Sequence, residues 1–310
     1  MFDAIANILA IFIRPIYSIV QNYGWTIIIF TILIKLVTIG FSIKSQKSMA
    51  RMQQVQPLIN EIQRKYANNR EKMQQELTKV YDKYEISPTG GCMPMLLQLV
   101  ILMGFIQIVY KPYTYLLNIP VDSIKTAAAT VGADATAFLN NQLSMPSNVL
   151  SELVKMGYET ELELDFLGLQ LGEVLSQNMG DWKMWILPVL ALLFTILSTY
   201  TAQLSANKNQ NEKQKNDPQA QQAAAMSKSM YIMMPLMTAY ITYTWPLGCA
   251  LYWIISTVTQ MIQQFLINEL VVKKMKPIEL KKKKKKPQVK REVIDIEAQD
   301  NSIDEGEKNE

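Results

Sequence analysis

The sequence predicts an all-α polytopic membrane protein, with five membrane-spanning helices and a cytoplasmic helical hairpin between the first two. Three observations predict it. The 310-residue chain is 49% hydrophobic and 19% charged, yet very apolar blocks alternate with very polar ones, a segregation foreign to soluble domains. Several apolar blocks reach the roughly 20 residues that a helix needs to cross the hydrocarbon layer. Basic residues fall overwhelmingly on one set of connecting segments, as topology in a membrane requires.

Residues 1–22 come first. Phe2, Ile5, Leu9, Phe12, Ile16 and Val20 recur at helical spacing, with Arg14-Pro15 interrupting. The segment lacks the basic start and small-residue cleavage site of a signal peptide, and Asp3 is its first charge. It reads as an amphipathic helix on the outer membrane face; the alternative is a sixth, imperfect span. The first span is 23–43, and Lys35 lies inside it. A cation there costs roughly 2.5–3.5 kcal/mol on insertion scales, so a buried lysine in a span points to function. The remaining spans are 90–111, 183–203, 229–245 and 247–270. The last two form one apolar run, which Trp245-Pro246-Leu247-Gly248 divides with a tight turn.

Five spans put the termini on opposite sides. The 44–89 segment carries nine Lys/Arg, the 204–228 loop four and the tail after 270 twelve, against five on the other side. The N-terminus is therefore expected outside, and the C-terminus in the cytoplasm of a cell membrane.

Residues 44–89 read as the cytoplasmic hairpin. Met49, Met52, Val55, Leu58, Ile59, Ile62 and Tyr66 form one stripe. Ala67-Asn68-Asn69 turns the chain, and Met73, Leu77, Val80, Tyr81 and Tyr84 continue the stripe on the second arm. The two arms can zip together. Methionine-rich faces also adapt to varied partners, so Met49, Met52, Tyr66, Met73 and Tyr81 are candidate contacts for client chains. The plainer alternative is a mere connecting hairpin. The outer region 112–182 holds nine acids against Lys125 and Lys155. Its segment Glu159–Phe166 alternates polar and apolar residues, as a short strand or extended edge would.

The tail 271–310 divides sharply. Residues 273–291 hold eleven Lys/Arg and one acid, including the run Lys281, Lys282, Lys283, Lys284, Lys285, Lys286; residues 292–310 hold eight acids and one lysine. Such runs are disordered as a rule. The basic block suits anionic lipid or ribosomal RNA, or it serves only to fix topology.

Composition excludes several chemistries. The chain has no histidine, which removes Ser-His-Asp and Cys-His machinery and histidine-ligated zinc. Cys92 and Cys249 each open an apolar segment and read as packing residues. No phosphate-cradling glycine motif is present. A non-enzymatic protein without metal or cofactor is expected.

Three stretches carry a resemblance. Phe30-Thr-Ile-Leu-Ile-Lys-Leu36, the polar stretch from Lys44 to Pro57, and Pro88-Thr-Gly-Gly-Cys-Met-Pro-Met-Leu-Leu-Gln98 resemble the YidC/Alb/Oxa membrane protein insertases, in their shorter Gram-positive form. So do Pro188, Met234-Pro235 and Trp245-Pro-Leu-Gly-Cys-Ala-Leu-Tyr-Trp253, in the same order. The likeness covers about residues 20–272. It implies five helices around a hydrophilic groove that is open to cytoplasm and lipid and closed outside. It further implies insertion and folding of membrane proteins, alone or with the Sec translocon. The groove charge of the family is usually arginine; here Lys35 matches it, keeping the charge but losing the planar fork. No lipid-modified cysteine is expected near the N-terminus.

Around Lys35, the candidate groove residues are Thr31, Gln98, Gln107, Gln203, Trp253 and Gln260. Gln203 and Trp253 are included because they match groove positions of the family. A glutamine in a span can equally serve an interhelical hydrogen bond. Expected partners are nascent membrane proteins, the ribosome, the Sec translocon and anionic lipids, with the protein itself a monomer. Two other classes compete. A channel or transporter would need more in-membrane charge, a repeat or a filter motif. A membrane scaffold tethering ribosomes through its tail would leave Lys35 and the hairpin without purpose.

Overall fold

The computed structural model describes residues 2–87, 90, 93–207 and 218–278, without side chains at 94, 95, 203–207, 218–228, 230 and 231. These residues are mostly helical and belong to one compact unit, Met1–Ile278. The basic run 281–286 and Cys92 lie outside the described residues.

Helix α1 (Phe2–Val20) buries Ala6, Leu9, Ala10, Ile13 and Tyr17, a stripe at spacings of three and four. Phe2, Ile8, Ile11, Phe12 and Ile19 stay exposed. By length and composition α1 is apolar enough to cross a membrane. Its contacts place it. After helix α5 (Met93–Tyr110) comes the single turn α6 (Pro112–Tyr115). Arg14 Nε donates to Tyr115 O at 2.8 Å, and Tyr115 Oη donates to Asp3 Oδ1 at 2.8 Å. Asp3 and Arg14 stand roughly 16 Å apart along α1 at 1.5 Å per residue, yet both reach Tyr115. The helix packs against α5, where Ile5 and Leu9 lie on Gly104, and Asp3 and Arg14 both tie it to Tyr115.

The expected first span is not straight. Helix α2 (Tyr23–Val37) ends at Thr38, and α3 (Ile39–Lys65) continues at an angle of 56°. The break has an identifiable cause. Gln263 Nε2 donates to the Lys35 carbonyl at 2.8 Å, and Thr38 Oγ1 lies 3.3 Å from the same oxygen. A side chain inserted into the backbone ladder is a standard origin of a kink. The helix thus bends at Thr38, inside the expected first span, and α3 continues through 43/44 into the first arm of the hairpin.

Helix α4 (Arg70–Lys83) returns along α3, with Asn69 capping it by accepting from Lys72 N. Val55, Ile59, Ile62, Val80 and Ile86 make the hairpin's core. Met52, Tyr66, Met73 and Tyr81 pack partly buried against it, and Met49 is 46% exposed. Four of the five residues read as a client surface therefore also help to zip the two arms together. We expect Ile59→Ala to weaken the hairpin by about 2–4 kcal/mol, the scale of a buried isoleucine truncation. Hydrogen exchange should speed up across α4 while the spanning helices keep their protection.

The segment that follows α6 has a core of its own. Helices α7 (Val121–Thr130) and α8 (Ser147–Lys155) enclose Ile124, Ala127, Ala128, Phe138, Met145, Val149 and Leu153. The extended segment expected at 159–166 pairs only at its end. Strand β1 (Asp165–Phe166) meets β2 (Leu169–Gln170) antiparallel. Leu167 and Gly168 both have positive φ, the two-residue turn that suits a hairpin.

From there the chain lies as a strap over one end of the bundle. Tyr23 N donates to Glu163 O, and Asn22 Nδ2 to Asp165 O. Leu247 N donates to Glu173 O, and Gly248 N to Leu171 O at 2.8 Å. The Phe166 ring lies against Gly24, where any β-carbon would collide with it, and meets Trp25 edge-on at 5.5 Å.

Helix α9 (Ile186–Asn207) follows a 3-10 turn, and Trp182–Ala202 is apolar enough to span. Helix α10 (Pro218–Thr244) begins eleven residues before the expected fourth span, so part of the presumed 204–228 loop is helix. Helix α11 (Leu247–Leu270) starts after the Trp245-Pro246 break, as expected. Among the described residues, α1, α9 and the bent pair α2–α3 meet the length and composition of a span, and α5 contributes a shorter apolar stretch. Polar residues on α11 and at the start of α10 account for the rest. The tail also begins later than expected. Val272–Lys274 forms a 3-10 turn, Ile278 N donates to Gln54 Oε1 at 2.8 Å, and Ile278 packs on the hairpin core.

Candidate functional site

The site is built where α2, α5 and α11 meet. Phe30, Phe105 and Tyr252, one from each helix, stack with centroids 5.9 and 4.3 Å apart. This aromatic column fixes the three helices at one level. Beside it the polar side chains converge.

Lys35 is 8% exposed. Its ammonium donates to Gln98 Oε1 at 2.9 Å and to Gln260 Oε1 at 3.4 Å. Gln98 turns its amide nitrogen the other way, donating to Tyr252 Oη at 2.8 Å and Ser256 Oγ at 3.2 Å. Gln263 closes the set by donating to the Lys35 carbonyl. Among the described residues, every one of these partners is neutral. A buried charge is tolerable only when it is hydrogen-bonded, and here amide oxygens meet that need without cancelling the charge. The arrangement leaves a net positive centre inside the bundle, flanked by amides and hydroxyls that both donate and accept. It offers no nucleophile paired with a base, and the described residues hold no cluster of acids, cysteines or histidines fit for a metal.

The sequence-predicted residues divide. Lys35, Gln98 and Gln260 come together. Thr31 is 1% exposed, but its hydroxyl donates to Ile27 O at 2.6 Å and faces its own helix. Gln107 sits nine residues beyond Gln98 on α5, roughly 13 Å along the axis, and does not join. Trp253 Nε1 donates to Thr195 Oγ1 at 3.1 Å, tying α11 to α9 on another face. The side chain of Gln203 lies outside the described residues. Tyr252, Ser256 and Gln263 are the members that sequence reasoning missed. The signal was there: 252, 256, 260 and 263 fall at spacings of four, four and three, one polar stripe along an apolar helix.

These features define a class: a helical membrane protein with one uncancelled cation among neutral hydrogen-bonding groups at a three-helix junction, and a helical hairpin growing out of its first span. The profile of the family described as 60Kd inner membrane protein matches residues 15–276, and the chain belongs to that family. It is 29% identical over 262 residues to the membrane protein insertase YidC of Caldanaerobacter subterraneus subsp. tengcongensis, covering 84% of this chain and 93% of that protein. It is 30% identical over 251 residues to the membrane protein insertase YidC 2 of Listeria innocua, covering 80% of this chain and 64% of that one. Against the membrane protein insertase YidC of Nitratidesulfovibrio vulgaris, identity is 35% over 161 residues, and the match spans 30% of that longer protein.

Proposed function

We propose that this chain is a membrane protein insertase. It moves short hydrophilic segments of nascent membrane proteins across the bilayer and releases the following span into lipid. The observation that carries the reading is the uncancelled charge of Lys35 inside the bundle, held by Gln98 and Gln260. A polar segment in hydrocarbon leaves backbone groups unsatisfied at several kcal/mol each. The stripe Gln98, Tyr252, Ser256 and Gln260 supplies donors and acceptors to such a segment, and the cation attracts an acidic one. The function needs no catalytic residue, cofactor or metal.

The orientation that fits is the one the charges favour: N-terminus outside, hairpin and C-terminus in the cytoplasm. In this reading α1, whose free face carries Ile8, Ile11 and Ile19, lies on the outer face, and five spans surround a groove. The strap over the ends of α2 and α11 then sits on the outer side, where a closed end belongs. The hairpin receives chains at the groove mouth, and the basic run 281–286 holds the ribosome near, with or without the Sec translocon.

The test is protease protection of a small single-span protein with an acidic translocated end, added to liposomes containing only this protein. Protection by wild type, absent with empty liposomes, is expected. No protection across several such clients would remove the insertase reading. Truncation after Ile278, which spares the docked segment, is expected to weaken ribosome co-sedimentation in a salt-dependent way and to leave insertion of short finished proteins intact.

A further inference from the structure

A second polar site lies away from Lys35, at the base of the hairpin. An open hollow of about 370 Å³ is lined by Arg51 of α3, by Lys83, Tyr84 and Glu85 at the end of α4, and by Met275, Lys276 and Ile278 after α11. Three separate stretches of chain thus bring three cations to one hollow. Among the described residues none of Arg51, Lys83 and Lys276 is paired with a carboxylate, although surface lysines elsewhere, such as Lys79 and Lys273, are. The Lys83 ammonium stands over the Tyr84 ring at 5.2 Å. Glu85 holds a positive φ of 51°. That conformation disfavours a residue with a β-carbon, and glycine usually takes it at a helix end. Such outliers concentrate at binding sites.

Its depth is set by helix geometry. The 15 residues of α2 rise roughly 22 Å. Taken along the bilayer normal, they leave about 8 Å of a hydrocarbon layer about 30 Å thick. At the 56° inclination of α3, that remainder is used up by about residue 47. Arg51 then stands one turn beyond, among the headgroups. Lys276 follows α11 by six residues and reaches the same level from the other side of the hollow.

We propose that this hollow binds the phosphodiester headgroup of an anionic membrane lipid. Arg51, Lys83 and Lys276 take the phosphate oxygens, and Glu85 accepts from the hydroxyl or other donor at the far end of the headgroup. The apolar side chains of Met275 and Ile278 lie where the glycerol backbone would pass. A bound lipid bridges α3, α4 and the segment after α11, and so fixes the hairpin's base against the membrane. The site is separate from the basic run 281–286 and does not depend on the insertase reading.

The test uses the full-length protein in neutral detergent micelles. Native mass spectrometry counts bound dioleoyl phosphatidylglycerol, with dioleoyl phosphatidylcholine and inorganic phosphate as comparison probes. One phosphatidylglycerol should be retained selectively, with apparent affinity about 30-fold weaker in Arg51→Gln/Lys83→Gln, on the scale of two surface cations against an anionic lipid. Lys276→Gln alone should weaken it by a smaller factor. Lys65→Gln/Lys72→Gln at the hairpin tip removes the same charge and should change nothing. Equal loss in the tip variant would overturn the site in favour of diffuse charge. Phosphatidylcholine bound as tightly as phosphatidylglycerol would also overturn it. Inorganic phosphate displacing the lipid at equal concentration would assign the hollow to a free anion instead.

Discussion

Lys35→Glu is expected to abolish insertion of spans preceded by acidic segments, while Lys35→Arg retains most of it and Lys35→Ala falls between. The order follows from the junction. Glutamate would place an acceptor-only group beside Gln98 Oε1 and Gln260 Oε1, both of which accept from the ammonium in the native site. Both amides would have to flip, and Tyr252 and Ser256, which now accept from Gln98, would have to donate to its oxygen instead. A buried carboxylate would also repel an acidic client. The ammonium's two hydrogen bonds to amide oxygens are charge-assisted and worth about 1.5–3 kcal/mol each, so removing them and reversing the charge should exceed a tenfold effect. Arginine keeps the charge and adds donors. Insertion rates for one client series, with acidic, neutral and basic leading segments, decide it. A Lys35→Glu protein that inserts acidic and basic clients at equal, wild-type rates would remove Lys35 from the mechanism.

Gly24→Leu is the second large effect. The Phe166 ring occupies the space that any side chain at position 24 would need. Relief requires the ring to leave, and with it the β1–β2 turn and the amide bonds from Tyr23, Leu247 and Gly248. Overpacking costs about 1–3 kcal/mol by itself, and expulsion of a buried aromatic costs about 3–5 kcal/mol. Hydrogen exchange at the Gly248 and Tyr23 amides should accelerate by orders of magnitude while α7 and α8, with their separate core, keep their protection. Unchanged exchange at Gly248 would mean that the strap is not held by Phe166.

The apolar helices were legible in the sequence because hydrocarbon imposes a length and a composition that side chains cannot hide. The Trp245-Pro246 break was legible because proline states its own constraint. The bend at Thr38 was not, because its cause lies 225 residues away in Gln263. The hairpin stripe showed its periodicity but not its purpose. An apolar face that meets its own second arm and one that waits for a client have the same spacing, and the contribution of Met52, Tyr66, Met73 and Tyr81 to the hairpin's own packing is visible only in the fold. Of the candidate site, Lys35, Gln98 and Gln260 could be chosen because each is polar in an apolar setting. Tyr252 and Ser256 were missed because tyrosine and serine are unremarkable in spanning helices until a partner from another helix is seen.

The continuity of α3 has a mechanical consequence. From Ile39 to Lys65 it is one helix of 27 residues with Pro57 inside it, roughly 40 Å long, and its bend lies three residues from Lys35. A turn of about 10° at Thr38 would carry the hairpin tip through about 7 Å on this geometry. The first span and the hairpin therefore make a lever with a short arm and a long one. On the proposed reading, a client held at the tip would work on the Lys35 junction through this lever, and a client at the junction would move the tip.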